Sequence, residues 1–224
     1  MAGVILDEIE ARVLGSLMEK DLTTPDYYPL SLNALMNACN QKSNRDPATG
    51  YDERTVQEAV ERLRHKGLAT VLTGSEHRVP KYGHRVYETL NLGRREVAVL
   101  TPMLLRGPNT LNELRTRTER MYEFDDADAV LGAIHKLEAH EGGALAAELP
   151  RMPGMRETRY THLLCGEPAM GTLGAAVTAG EVEGHTVTGG RVDRLAHVEA
   201  ELEALRAEMA GLRGEWAEFK RQFE

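Results

Sequence analysis

Two amphipathic segments 74 residues apart carry the same four-position apolar stripe, and this repetition constrains the fold more than any other feature of the chain. Val56, Ala59, Val60 and Leu63 line one face of DERTVQEAVERLRHK, and Val130, Ala133, Ile134 and Leu137 line the matching face of a segment opening near Asp125. The spacing i, i+3, i+4, i+7 marks each as a helix with one buried stripe. Any two amphipathic helices can share four positions by chance, so the order of the flanking elements decides.

That order also recurs. A first helix places Leu6, Ile9, Val13 and Leu17 on one face, with polar residues on the other, and stops before Pro25 and Pro29. Ser31 is a suitable N-cap for a second helix carrying Leu32, Leu35, Met36 and Cys39. The loop CNQKSNRDPATGYD leads to the third helix, which ends at Gly67. Two strand-like segments follow, LATVLTG (68–74) and HRVYETL (84–90). In the second half, RREVAVLTPMLLRG (94–107) reads as a first helix, irregular around Pro102. TLNE (110–113) is a capping box opening a second helix, and LNEL (111–114) echoes LNAL (32–35). The third helix is followed by strands ALAAELP (144–150) and TRYTHLL (158–164), joined by RMPGMRE. Three helices and then a hairpin is the order of a winged helix. The expected fold is mainly α with small β-hairpin wings (α+β): winged-helix domains over 1–92 and 93–165, a flexible glycine-rich linker over 166–191, and a coiled-coil helix over 192–224.

The last helix repeats Leu195, Val198, Leu202, Leu205, Met209, Leu212, Trp216, Phe219 and Phe223 in alternating steps of three and four. With Leu195 at position a, Glu201, Glu208 and Glu215 fall at g and Arg206, Arg213 and Lys220 at e. In a parallel pair each g glutamate meets a basic e residue of the other chain, so a homodimer is expected. The alternative is an amphipathic helix folded back on its own body, which the bulky Trp216, Phe219 and Phe223 would suit.

Charge is unevenly spread. The net charge of −8 comes mostly from 165–224, which carries −5, whereas 1–92 carries −2 and 93–164 carries −1. The whole molecule is therefore no generic polyanion binder, yet its body is close to neutral. Cys39 and Cys165 stand in no CxxC pattern, so two reduced thiols are expected rather than a disulfide. The N-terminus lacks the basic flank of a signal peptide, and no apolar stretch approaches the ~20 residues of a membrane span. The sequence predicts a cytoplasmic protein without a membrane segment.

The stretches YYPLSLNALMNACNQKSNRDP (27–47), LLRGPNTLNELRTRTERMYEF (104–124) and RETRYTHLLCGEP (156–168) resemble the YceH-like family of uncharacterised bacterial proteins, a resemblance spanning roughly residues 5–168. It implies two tandem winged helices and brings no activity, ligand or catalytic residue.

In a helix-turn-helix, contacts to DNA come from the turn before the third helix, that helix's first turns, and the wing. These regions offer Lys42, Ser43 and Arg45 in the turn, Arg54 on the helix, and Arg78, Lys81 and Arg85 at the wing, flanked by His77 and His84. Asn40, Gln41 and Asn44 add neutral donors, or else cap backbone groups in a structural loop. Glu58 and Glu61 oppose a base-reading role for the third helix. The second domain offers Arg115, Arg117, Arg120, Arg151, Arg156 and Arg159, but Asp125, Asp126 and Asp128 open its third helix. Candidate partners are thus duplex DNA or, alternatively, a protein bound by an adaptor.

An enzyme is not expected. The eight histidines are scattered without metal-ligand spacing, and G-x-S-x-G, Walker and H-E-x-x-H motifs are missing. No cofactor or metal is predicted. For the tail, replacing Leu202 and Leu205 with polar residues should yield a monomer by light scattering. An unchanged mass would place that helix on its own chain, or dimerisation elsewhere.

Overall fold

The computed structural model describes residues 4–74, 78–151 and 157–166. The glycine-rich segment from 167 onward and the helix expected over 192–224, with its stripe from Leu195 to Phe223, lie outside the described residues.

Helix α1 (Glu8–Thr23) starts at a reciprocal cap: Asp7 accepts from the Glu10 amide at 2.7 Å, and the Asp7 amide donates to Glu10 Oε2 at 2.8 Å. A 3₁₀ turn (Pro25–Tyr27) leads to β1 (Leu30–Ser31) and α2 (Leu32–Cys39), whose first turn Ser31 caps. Helix α3 (Glu53–His65) is capped by Asp52, and the chain turns at Gly67, where φ is +74° and a side chain would be strained. Strands β2 (Ala69–Leu72) and β3 (Lys81–His84) form the hairpin, and the short helix α4 (Val86–Thr89) follows.

The second half runs α5 (Arg94–Arg106), β4 (Asn109–Thr110), α6 (Leu111–Thr118), α7 (Ala127–Glu138), β5 (Ala146–Glu148) and β6 (Arg159–His162). The capping box at Thr110 and Glu113 is present, and Asp126 caps α7. Both predicted stripes on α3 and α7 are buried. The described part is therefore mainly helical, with two small antiparallel sheets.

Each sheet has three strands, ordered β1-β3-β2 and β4-β6-β5, so the residues just before α2 and α6 add a strand to each hairpin. The registers coincide. In the first sheet Ser31 pairs with Lys81, Leu30 with Tyr82 and Ala69 with His84; in the second Thr110 pairs with Arg159, Asn109 with Tyr160 and Ala146 with His162. The central strands KYGH and RYTH thus occupy equivalent places, with a buried tyrosine second in each.

Two sequence expectations change. Residues 84–90 were expected as one strand, but β3 ends at His84 and Val86–Thr89 is helical. Val86 and Leu90 are both buried and sit four apart, the spacing of a helix rather than of alternating strand faces. Helix α5, expected to be irregular around Pro102, runs through it. Proline removes one intrahelical N–H. Burial of α5 from Glu96 to Leu105, with packing against α1, α6 and α7, holds the helix regardless.

Helix α1 departs from a one-face reading as well. Every residue from Glu10 to Glu19 is buried, because one side meets α2 and α3 while the other meets α5. At Gly15 the two helices come close: a methyl there would lie 3.0 Å from Leu104 Cβ and 3.0 Å from Leu105 Cδ2. The halves accordingly share one continuous apolar core. Gly15→Val should therefore destabilise the fold by about 1–3 kcal/mol in urea unfolding, overpacking outweighing any gain in helix propensity.

Candidate nucleic-acid interface

The loop between α2 and α3 is fastened from inside. Asn40 Nδ2 donates to the Tyr51 carbonyl at 2.7 Å, and the Tyr51 amide donates to Asn40 Oδ1 at 2.8 Å, so one side-chain amide joins the two ends of the loop. Arg12 reaches out of α1 to donate to the Pro47 carbonyl at 2.8 Å. The Asp46 amide donates to the Leu105 carbonyl at 2.9 Å, tying the loop to α5. Asn44 takes a left-handed conformation, φ 58°, which asparagine tolerates better than most residues.

Arg45 is the largest correction to the expected interface. Its guanidinium is buried and donates to both Glu19 carboxylate oxygens, at 3.1 and 2.7 Å, while Nε donates to the Ala38 carbonyl at 3.0 Å. A side chain with no exposed surface cannot meet a phosphate, so Arg45 fastens the loop instead. Burial opposes ionisation of Glu19, but the hydrogen bonds and charge of Arg45 outweigh it and hold the carboxyl below its ordinary range. Within this loop Asn40 and Arg45 fasten the backbone, whereas the side chains of Gln41 and Asn44 accept from those of Lys20 and Arg106.

Lys42 and Ser43 project at the tip of the same loop and are exposed. Arg54 is exposed on α3, with Glu58 Oε1 2.8 Å from its Nε; Arg64 pairs likewise with Glu61 at 2.6 Å. The outer face of α3 therefore neutralises itself through neighbours three and four apart. At the hairpin Arg78 is exposed, Lys81 is half-buried, and Arg85 is exposed just beyond β3. Among the described residues no carboxylate lies within ion-pair distance of Lys42, Arg78, Lys81 or Arg85.

His84, expected beside the wing, is buried. Its Nε2 lies 3.4 Å from Asp21 Oδ2, its ring packs against Tyr28 and Tyr87, and Tyr87 donates to Asp21 at 2.9 Å. His77 lies outside the described residues.

In the second half, Arg117 donates to Glu113 at 3.1 Å and to Asn109, and Arg159 donates to Glu113 at 3.2 Å. One glutamate thus occupies two of the expected arginines, while Arg115 and Arg120 stay exposed. Asp126 accepts from the Ala129 amide at 2.7 Å, with Asp125 and Asp128 exposed around it. Both thiols are free: Cys39 is buried, which pushes its pKa up to about 11, and Cys165 is exposed. Among the described residues no three His, Cys, Asp or Glu side chains converge as a metal site, and no helix is long and apolar enough to cross a membrane.

Sequence reasoning missed the roles of Arg12 and Glu19, both internal to a helix that reads as amphipathic. A signal for the hairpin equivalence was present: [KR]-Y-x-H recurs at 81–84 and 159–162.

The family described as "Protein of unknown function, DUF480" matches residues 6–155, across both halves. The chain belongs to that family. A UPF0502 protein of Koribacter versatilis is 50% identical over 202 residues, covering 90% of this chain and 91% of that protein. One from Solibacter usitatus is 46% identical over 227 residues, covering 98% of each, and one from Pelobacter propionicus is 48% identical over 221 residues, covering 99% of each. YceH is the name attached to the same UPF0502 family, in agreement with the resemblance drawn from the sequence. The similarity to the last two relatives reaches beyond residue 168 into the tail.

The two classes of arginine and lysine separate by stability. Arg45→Ala removes the buried two-pronged partner of Glu19, leaving it only Lys20, and should cost about 3–5 kcal/mol. Because the Glu19 carboxyl titrates below its unfolded value, that contribution is full at neutral pH and lost as pH falls through the carboxylate range. Lys42→Ala, at an exposed tip, should stay within about 0.5 kcal/mol of wild type. Chemical denaturation at pH 7 of both variants checks the contrast.

Proposed function

We propose that the two halves are tandem winged helices forming a non-enzymatic, DNA-binding regulatory protein, dimeric through its C-terminal helix. The first half makes the contact. The observation that carries this reading is the distribution of unpaired cations. Lys42 before α3, Arg78 and Lys81 on the hairpin, and Arg85 after it are the expected contact residues that have no acidic partner among the described residues, and they flank α3 in the chain on both sides. The exposed cations of α3 itself are paired with glutamates. Such a surface suits the phosphate backbone more than base edges, since phosphate contacts need charge and reach while base readout needs free donors on the inserted helix. Arg54 shares its charge with Glu58 through Nε in an exposed pair that is weak, and Ser43 adds a neutral donor.

A second reading, an adaptor that binds protein, has its own support. Leu72 and Val79 on the same hairpin are 42% and 50% exposed. Apolar side chains on a wing fit a protein surface at least as well as a duplex.

Binding of the full-length protein to random-sequence duplex DNA at two salt concentrations distinguishes the two. About four phosphate contacts give log K a slope against log salt of about −3.5. Lys81→Glu with Arg85→Glu should remove most of that binding. Binding that is flat in salt, or missing at low salt, overturns the DNA reading and favours a protein partner.

A further inference from the structure

A cleft of about 550 Å³ lies between the two halves, walled by the C-terminal ends of α1 and α5, the α2–α3 loop, and the end of α6 with the turn after it. Five cations line it, Lys20, Lys42, Arg106, Arg117 and Arg120, against one carboxylate, Glu19. Glu19 is already held by the buried fork of Arg45 and by Lys20 at 3.1 Å, and Arg117 is held by Glu113. The other three are less engaged. Arg106 donates at 3.3 Å to the neutral Asn44 side-chain oxygen, and no hydrogen bond or ion pair within the described residues engages Lys42 or Arg120. Uncompensated positive charge thus gathers in one concavity of a protein whose net charge is −8.

Like charges brought together around a partly desolvated space repel, and an anion placed among them removes that repulsion. The cleft is also built in advance of any ligand. The Asp46 amide to Leu105 carbonyl bond, and the Arg106 to Asn44 contact, join its two walls, so little ordering remains to oppose binding. Pro102, Leu105 and Met121 give it an apolar side.

We propose that this cleft binds a small organic phosphate, a molecule with two or more negative charges on phosphate oxygens and an apolar or flat remainder. Its size is that of a small-molecule pocket, whereas a duplex is met by protruding elements. Donors approach from several directions, which suits a tetrahedral phosphate better than a planar carboxylate. Arg106, Arg120 and Lys42 take the phosphate oxygens, and Met121 and Pro102 face the remainder. A ligand seated there touches both halves and strengthens their union. The site stands independently of the DNA reading, with which it shares Lys42 and Ser43.

The test is calorimetric titration of the full-length protein with inorganic pyrophosphate and with ADP, beside thermal unfolding, with sodium chloride at matched ionic strength as the control. The expected results are saturable binding that weakens with salt, a Tm raised above the chloride control, and at least a tenfold loss of affinity in Arg106→Ser with Arg120→Ser. Lys42→Ala, at an exposed loop tip, gives a second variant with the same expected weakening if that pair fails to fold. No saturable binding of either probe, or affinity unchanged in the variants, overturns the proposal. If neither probe binds while Arg106→Ser with Arg120→Ser abolishes duplex binding, the cleft receives a nucleic-acid backbone and the small-ligand assignment is wrong.

Discussion

Helices α1 and α5 meet at Gly15, where the missing side chain lets Leu104 and Leu105 close onto the α1 backbone. Much of the molecule follows from that contact. Together with α2, α3 and the loop between them, it surrounds α1 with protein, so that Glu10, Arg12 and Glu19 are buried along with its apolar residues. It gives both halves a common core in place of two separate ones. It also lets α5 carry a proline without breaking, because neighbours on several sides hold the helix that one lost hydrogen bond would weaken.

Burying α1 creates an electrostatic obligation, since charges withdrawn from water need partners. Glu19 takes Arg45, and Glu10 takes Arg62 from α3 and Lys66 just after it. The first of these pulls Arg45 inward and holds the α2–α3 loop against the body, with Lys42 and Ser43 among its exposed residues. The same inward pull forms one wall of the cationic cleft and cancels its single carboxylate. A residue that reads in sequence as a DNA contact thereby becomes a structural strut, and the free charge moves to the loop tip, the hairpin and the cleft.

Legibility in the sequence followed how local each feature is. Caps at Ser31 and Thr110 and the stripes of α3 and α7 depend on residues within a few positions of one another, and these were readable. The third strand of each sheet was not, because β1 and β4 are two residues long and owe their extended form to a partner some 50 residues away. The segment after His84 deceived for a related reason: strand-prone Val and Tyr outweighed an i, i+4 burial pattern visible only against a core. For the candidate site, residue types were readable but availability was not. Nothing near Arg45 in the chain distinguishes it from Lys42.

By itself, then, the sequence determined the duplicated order of helices and hairpins, the helix starts, the acidic tail with its heptad stripe, and membership in a family matched across both halves. Tertiary structure decided which cations are free among the described residues, that the halves share one core, and that a basic cleft opens between them. The physical reason is range. Capping and amphipathic periodicity act over a single turn, whereas burial of a charge depends on partners 26 residues away in the case of Arg45 and Glu19, and folding alone brings these together.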